Sequence, residues 1–347
     1  MKKTLLALAV LAAAGSVNAA EIVKTDDATV DFYGQLREYA TKNSKDEDAT
    51  LKSSSSRAGI NASYKATDTL KVLGTVEFNL GESNSGTNRK HYVGLSSTDW
   101  GTLTVGKQSI IADDLWGVEN SYLGNAVSML PEASGFSQEW LQQAMLKYSF
   151  ETDAGWVKAT YSYDNGDTNP TVAELFVGTS IDNIDIYGGV GYQDDRTTST
   201  KDVKVTSTGT DSDGNTVTGT SIITTTAAKS DVELKHGMLT VNYNGEGWNL
   251  GTTYWHAEIE DNNANSELTT DSFVVAGAYN LTEKLQAYGG VEYVLDFEEE
   301  GNDYSNVYGG VVYKFASWAR VFAEGGVNDQ DIAQDDYYYG VGARVYW

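Results

Sequence analysis

Gln35, Arg37, Arg57 and Arg89 fall on the polar sides of three nearby alternating segments, while Asp113, Asp114, Glu119 and Glu132 fall in one long irregular stretch. Such a set performs no covalent chemistry. Opposed across a narrow, weakly polarisable passage, it would create a transverse field that sorts ions and orients dipolar solutes. Glu77, on the polar side of the segment between Arg57 and Arg89, is a further candidate wall charge. The plainer alternative is a set of ordinary solvated charges, and it stays open most of all at Arg37 and Asp113.

Catalysis has little to work with. The chain has three histidines, His91, His236 and His256, and no cysteine. None of the histidines sits at a metal-ligand spacing, and no nucleophile elbow or phosphate loop is present, so neither an enzyme nor a cofactor is expected. Without cysteine there is no disulfide framework and no thiolate metal site. The run Asp211-Ser212-Asp213-Gly214-Asn215 has the alternating acids of a calcium loop but lacks the terminal bidentate Glu and flanking helices. Residues 195–229, rich in Thr, Ser, Asp and Gly, read as a solvated loop with room for a hairpin extension.

The elements that must position these charges are strands. From Thr29 to Tyr39, Val30, Phe32, Gly34 and Leu36 alternate with Asp31, Tyr33, Gln35 and Arg37. This period of two marks a strand with one apolar and one polar face. The same pattern predicts strands over 53–64, 71–80, 157–163, 184–192, 285–295, 307–315 and 339–347. Less regular segments at 88–98, 100–109, 171–181, 230–244, 247–260 and 270–281 complete the series. Very short breaks (66–68, 99–101, 152–154, 182–183) alternate with longer acidic ones (43–51, 82–87, 166–170, 261–269, 298–302). Tight turns at one end and long loops at the other characterise an outer-membrane barrel. The expected fold is all-β: a sixteen-stranded antiparallel transmembrane β-barrel, an even number with both termini on the short-turn side. Tyr33, Tyr39, Tyr64, Trp100, Trp156, Trp248, Trp318, Tyr346 and Trp347, near predicted strand ends, are expected to form aromatic girdles at the membrane interfaces.

One break differs from the rest. Between Gly106 and Lys147 the alternation stops for about thirty residues, too long for an ordinary connection. Its Trp116, Tyr122 and Met129-Leu130-Pro131 are too apolar for a disordered tail. It is expected to fold into the lumen as a third loop that sets the width and charge of a pore. Trp116, Tyr122, Phe136 and Trp140 could instead begin an aromatic track for oligosaccharides.

The N-terminus reads as a secretory leader over 1–19, with Lys2 and Lys3, the apolar run Leu5–Ala14, and small residues at Val17-Asn18-Ala19. That apolar run is too short to span a membrane. Removing the leader takes the formal charge from −25 to −27, because it carries two lysines and no acid. Such a surface repels nucleic acid and attracts cations.

In this order, several segments resemble the general porins of Gram-negative bacteria, those of vibrios in particular. They are Val30-Asp31-Phe32-Tyr33-Gly34-Gln35-Leu36-Arg37, Ser55-Ser56-Arg57-Ala58-Gly59, Gly106-Lys107-Gln108, Tyr313–Val321 and Gly342–Trp347. The resemblance implies a homotrimer of barrels in the outer membrane, in contact with lipopolysaccharide and membrane lipid, and passing small hydrophilic solutes. It implies that Arg57 and Arg89 are basic wall residues, that Gln35 replaces a Lys, and that Glu132 lies on the acidic side of the constriction. Ser128 stands where a loop Asp is usual and Leu141 where another wall Arg is usual, so the eyelet is expected to be less basic and weakly cation-selective. The second loop, 82–87, is short for a trimer latch. The last strand resembles the signal read by the barrel-assembly machinery, with Trp347 where Phe is usual.

Overall fold

The structure, a computed structural model, describes residues 20–53, 55–81, 85–124, 141–163, 170–210, 216–330 and 336–347, with backbone alone at 198–229 and 330. The chain opens with strands β1 (Ala20–Lys24), β2 (Ala28–Lys42), β3 (Thr50–Ser53), β4 (Arg57–Lys65), β5 (Leu70–Asn79), β6 (Asn88–Ser97) and β7 (Gly101–Ser109). One helical turn, α1 (Ile111–Leu115), follows. Next come β8 (Leu141–Thr152), β9 (Gly155–Ser162), β10 (Thr171–Ile181), β11 (Ile184–Asp195), β12 (Thr198–Thr210) and β13 (Thr216–Lys229). The last part is β14 (Val232–Gly245), β15 (Trp248–Asp261), β16 (Ser266–Asn280), β17 (Leu285–Leu295), β18 (Tyr304–Ala316), β19 (Ala319–Gln330) and β20 (Asp336–Tyr346).

Eighteen of these strands form one antiparallel sheet, and β12 and β13 form a separate hairpin. The sheet closes on itself. Gln35–Lys42 of β2 pair with Tyr346–Tyr339 of β20, while the opposite edge of β2 pairs with β3 and β4. Two barrel strands are each made of two pieces. β3 and β4 follow one another along one edge of β2, and β1 takes up pairing with β2 at Thr29–Phe32, just past the end of β20. The result is the expected closed barrel of sixteen strands. Closure is what lets a sheet cross lipid, because an open edge would leave unpaired backbone groups where no water can satisfy them.

Alternation sorts the two faces. Val72, Val76 and Phe78 on β5, Val291 and Tyr293 on β17, and Val307 and Val311 on β18 all point outward and are exposed. Tyr33, Gln35, Glu77, Glu174, Thr240, Glu292 and Glu324 point inward and are buried. An apolar outside and a polar inside are the reverse of a water-soluble sandwich and match a wall between lipid and water.

Two expectations are corrected. Residues 53–64 are not one strand: β3 ends at Ser53 and β4 starts at Arg57, with Ser55 at φ 59°. Of the nine expected girdle aromatics, Tyr33, Tyr39, Trp156 and Tyr346 share the inward face, where Tyr33 bonds Glu77 and Trp156 packs on an internal cluster. Strand β1 had no alternation to reveal it. The 195–229 region takes the hairpin form, with its tip 211–215 outside the described residues.

Candidate functional site

The inner wall at β2, β4, β5 and β6 carries one compact charge cluster. Glu77 is 4% exposed and accepts the Tyr33 hydroxyl at 3.1 Å. Its two oxygens face Arg89 Nε at 2.8 Å and Arg57 Nε at 3.8 Å. Arg57 projects from the strand opposite Asn79, whereas Arg89 reaches the lumen through an irregularity. Lys90 pairs with Glu77 and Asn88 with Phe78, which makes Arg89 the extra residue of a β-bulge. A bulge re-aims a side chain that strict alternation would send outward. Beside this cluster Gln35, 2% exposed, donates to the Ser55 carbonyl at 2.8 Å. It accepts Arg37 Nη2 at 3.0 Å. The break at Ser55 also places Ser56 Oγ where it accepts the Arg37 backbone N–H at 2.9 Å.

The described part of the long connection, 110–124, touches wall residues spread around the barrel. At its start Ile110, Ile111, Ala112 and Leu115 are buried with Met145, Val172, Phe176, Met238 and Trp255. Glu174 of β10 accepts the backbone N–H groups of Ile111 at 2.5 Å and Ala112 at 3.3 Å, and the Thr160 hydroxyl at 3.1 Å. His236 Nε2 lies 3.7 Å from the same carboxylate. Further on, Val118 N–H donates to Thr253 Oγ1 at 3.0 Å and Asn120 N–H to the Tyr308 hydroxyl at 3.1 Å. At the far side Glu324 of β19 accepts Ser121 Oγ and the Tyr122 N–H, each at 2.6 Å. Leu123 packs with Tyr288, Tyr308, Val312, Phe322 and Tyr338.

The predicted acids scatter accordingly. Asp113 lies within electrostatic reach of Arg57 and Lys90. Asp114 forms an ion pair with Lys147 of β8. The strongest influence on its carboxyl is enclosure, which favours the neutral form, but Lys147 and Lys90 outweigh it and hold the group below the usual carboxylate range. Glu119 turns to the Trp116 indole at 2.8 Å and the Ser121 N–H. Enclosure pushes it up to about 7, opposed by the Trp116 bond and aided by the charges of Glu292 and Glu324. Glu132 lies outside the described residues, as do Phe136 and Trp140.

The wall residues that hold the connection, Glu174, Glu324 and Lys147, escaped the sequence reading. Each was visible as a lone charge among apolar or small residues of its strand, Val172-Glu174-Phe176 being the plainest case. The geometry supports charge arrangement, not bond making. Among the described residues no three His, Asp or Glu side chains converge as metal ligands.

A closed barrel, apolar outside and charged within, with residues 110–124 set against inward-facing wall residues, defines the class of porin-like outer-membrane proteins. A family profile described as Gram-negative porin matches residues 5–336, and the chain belongs to that family. It is 26% identical to "Porin-like protein H" of Photobacterium profundum over 98% of this chain and 99% of that protein. It is 33% identical to the outer-membrane expressed OmpT of Vibrio cholerae, covering 94% of this chain and 100% of that one at a TM-score of 0.76. An anion-selective porin from Comamonas acidovorans shares the fold at 11% identity and a TM-score of 0.71. The protein is an outer-membrane β-barrel and not an enzyme.

Proposed function

We propose that this outer-membrane diffusion channel is a passive, water-filled pore for small hydrophilic solutes and ions, weakly selective for cations, and pinched by its third loop within 106–147. The observation that carries the reading is the course of 110–124 from Glu174 on β10 to Glu324 on β19, wall residues well separated around the ring. The cation preference is supported by the net charge of the chain and by Glu77, which offsets one of the two charges of Arg57 and Arg89. An oligosaccharide channel would need aromatic surfaces open to solute. Tyr122 is instead packed on Tyr288 and Phe322 at 5.1 and 5.0 Å between ring centres.

We extend the trimer form of OmpT from Vibrio cholerae to this chain, together with a leader over 1–19 that is removed, lipopolysaccharide contact at the outer band, and insertion through the strand ending at Trp347. The test is single-channel conductance with a reversal potential in a potassium chloride gradient. Open channels with a modest cation preference are expected, and Glu132→Lys is expected to reduce that preference. A chain that folds but conducts nothing would overturn the reading, and an unchanged reversal potential in Glu132→Lys would remove Glu132 from the eyelet.

A further inference from the structure

Strand register assembles a row of cations. Arg37 on β2 lies directly opposite Arg344 on β20, Arg344 opposite Arg320 on β19, and Arg320 opposite Lys314 on β18. All four face inward, because the residues beside them, Leu36, Val345, Val321 and Tyr313, belong to the exposed outer band. Directly opposed side chains in a sheet stand roughly 5 Å apart, and like charges so placed destabilise it. Here the repulsion is repeated across four adjacent strands. Among the described residues, none of the four forms an ion pair with a carboxylate.

The guanidinium groups are held instead by neutral partners. Arg344 Nη2 donates to the Tyr122 carbonyl at 2.6 Å, and its guanidinium lies 4.2 Å from the centre of the Tyr122 ring. Arg320 stacks on Tyr346 at 4.7 Å. Among the described residues, the enclosed Nε atoms of Arg37 and Arg320 have no acceptor. Aromatic faces orient the planar groups without placing a carboxylate in ion-pair contact, the nearest described one being Glu324 across the Tyr122 backbone. The row also has a direction. Lys314 and Arg320 flank the short turn at 317–318, and Arg37 sits beside Gln35, the register partner of Arg57. Barrel strands tilt by about 40°, so a row perpendicular to them climbs the wall. It therefore rises from the short-turn mouth toward the Glu77 cluster.

We propose that Lys314, Arg320, Arg344 and Arg37 form a binding track for multiply charged oxyanions, phosphate-bearing small solutes in particular, entered from the short-turn side. An anion with several oxygens engages guanidinium forks on neighbouring strands together and relieves their mutual repulsion, which a single chloride bridges poorly. The track rests on the reading of the barrel as an open pore, and it gives a channel of overall acidic charge a local path for anions.

The test uses the full refolded chain and pyrophosphate as probe. In detergent, calorimetry is expected to show pyrophosphate binding that Arg320→Gln with Arg344→Gln weakens about tenfold, the loss expected for charge-assisted hydrogen bonds. Lys314→Gln, which touches no part of the 110–124 connection, is expected to weaken it less. Lys65→Gln, a lysine paired with Asp68 at another turn, is expected to leave it unchanged. In planar bilayers pyrophosphate is expected to reduce the potassium chloride current, more strongly from the short-turn side. No binding by the wild-type chain, or equal binding by the double variant and Lys314→Gln, overturns the track even where chloride currents are normal. Binding that is intact in a barrel without current overturns the pore, and with it the path, and leaves only the oxyanion-binding row.

Discussion

Glu324 accepts the backbone N–H of Tyr122 at 2.6 Å, a bond between residues 202 apart in the chain. The same carboxylate takes the Ser121 hydroxyl at 2.6 Å, the Leu123 N–H at 3.4 Å and the Tyr288 hydroxyl at 2.8 Å. Glu174 does the equivalent for Ile111 and Ala112. Two wall carboxylates thus supply acceptors to a connection whose backbone has few of its own, at points about ten residues apart along it.

Glu324→Ala leaves two N–H groups and two hydroxyls without their acceptor. Hydrogen bonds to a charged group contribute about 1.5–3 kcal/mol each, and relaxation recovers part of the loss, so a local cost on the order of 3 kcal/mol is expected. The barrel strands do not depend on these bonds. The expected result is therefore a folded barrel, judged by its heat-modifiable gel mobility, with increased open-channel current noise. Quiet channels in Glu324→Ala would show that the connection is held elsewhere.

Glu77 is the only described carboxylate paired with Arg57 and Arg89. Glu77→Gln keeps the shape and an acceptor for the Tyr33 hydroxyl but removes one negative charge from between two guanidiniums. The lumen potential there becomes more positive, and the cation-to-anion permeability ratio is expected to fall roughly twofold. Reversal potentials in a salt gradient measure this directly, and a ratio equal to the wild type would place the current path away from this wall.

The barrel was readable because lipid outside and water inside impose a period of two on nearly every strand, and Val30–Arg37 shows it without interruption. The charges of the site were readable as charges, but their partners were not. Alternation back from Leu95 and Val93 would send Arg89 outward, and only the bulge opposite Glu77 turns it in. Asp114 gave no hint of Lys147, because that pairing depends on where α1 places Asp114 against β8. Strand β1 carries no alternating pattern, since its five residues are all exposed and gain meaning only by completing the strand that β20 leaves short. The cationic row was hidden for a related reason. Arg37, Arg320 and Arg344 are distant in the chain and become neighbours only through register.

Glu119 supplies a pH dependence. Enclosure between the connection and the wall pushes its carboxyl up to about 7, the Trp116 indole opposes this, and the nearby Glu292 and Glu324 charges add to it. A carboxyl raised in this way is neutral below its pKa and negative above it. Cation preference is therefore expected to increase as pH rises from about 6 to about 8, where ordinary carboxylates are already ionised. Reversal potentials across that range are expected to shift in the wild type and stay flat in Glu119→Gln. A shift of equal size in Glu119→Gln would assign the titration to another group.

The seam where the barrel closes makes the sharpest structural prediction. Gly34 N–H donates to the Trp347 carbonyl at 2.8 Å, and Trp347 N–H donates to the Gly34 carbonyl at 3.1 Å. The indole lies over Gly34 on the outer face, with Phe32 5.9 Å away between ring centres. A Cβ at position 34 would stand 2.3 Å from the Trp347 ring and 2.8 Å from the Arg57 carbonyl. The ring lies on the outer face and has room to swing outward, but the carbonyl cannot move without disturbing the β2–β4 pairing. Gly34→Val is therefore expected to cost about 1–3 kcal/mol, the usual range for overpacking, and to lower the temperature at which the folded form is lost on gels. Trp347→Ala removes the ring clash and leaves the backbone one, so in that background Gly34→Val is expected to cost less than it does alone without becoming neutral. Additive costs in the two variants would mean that the indole does not rest on Gly34.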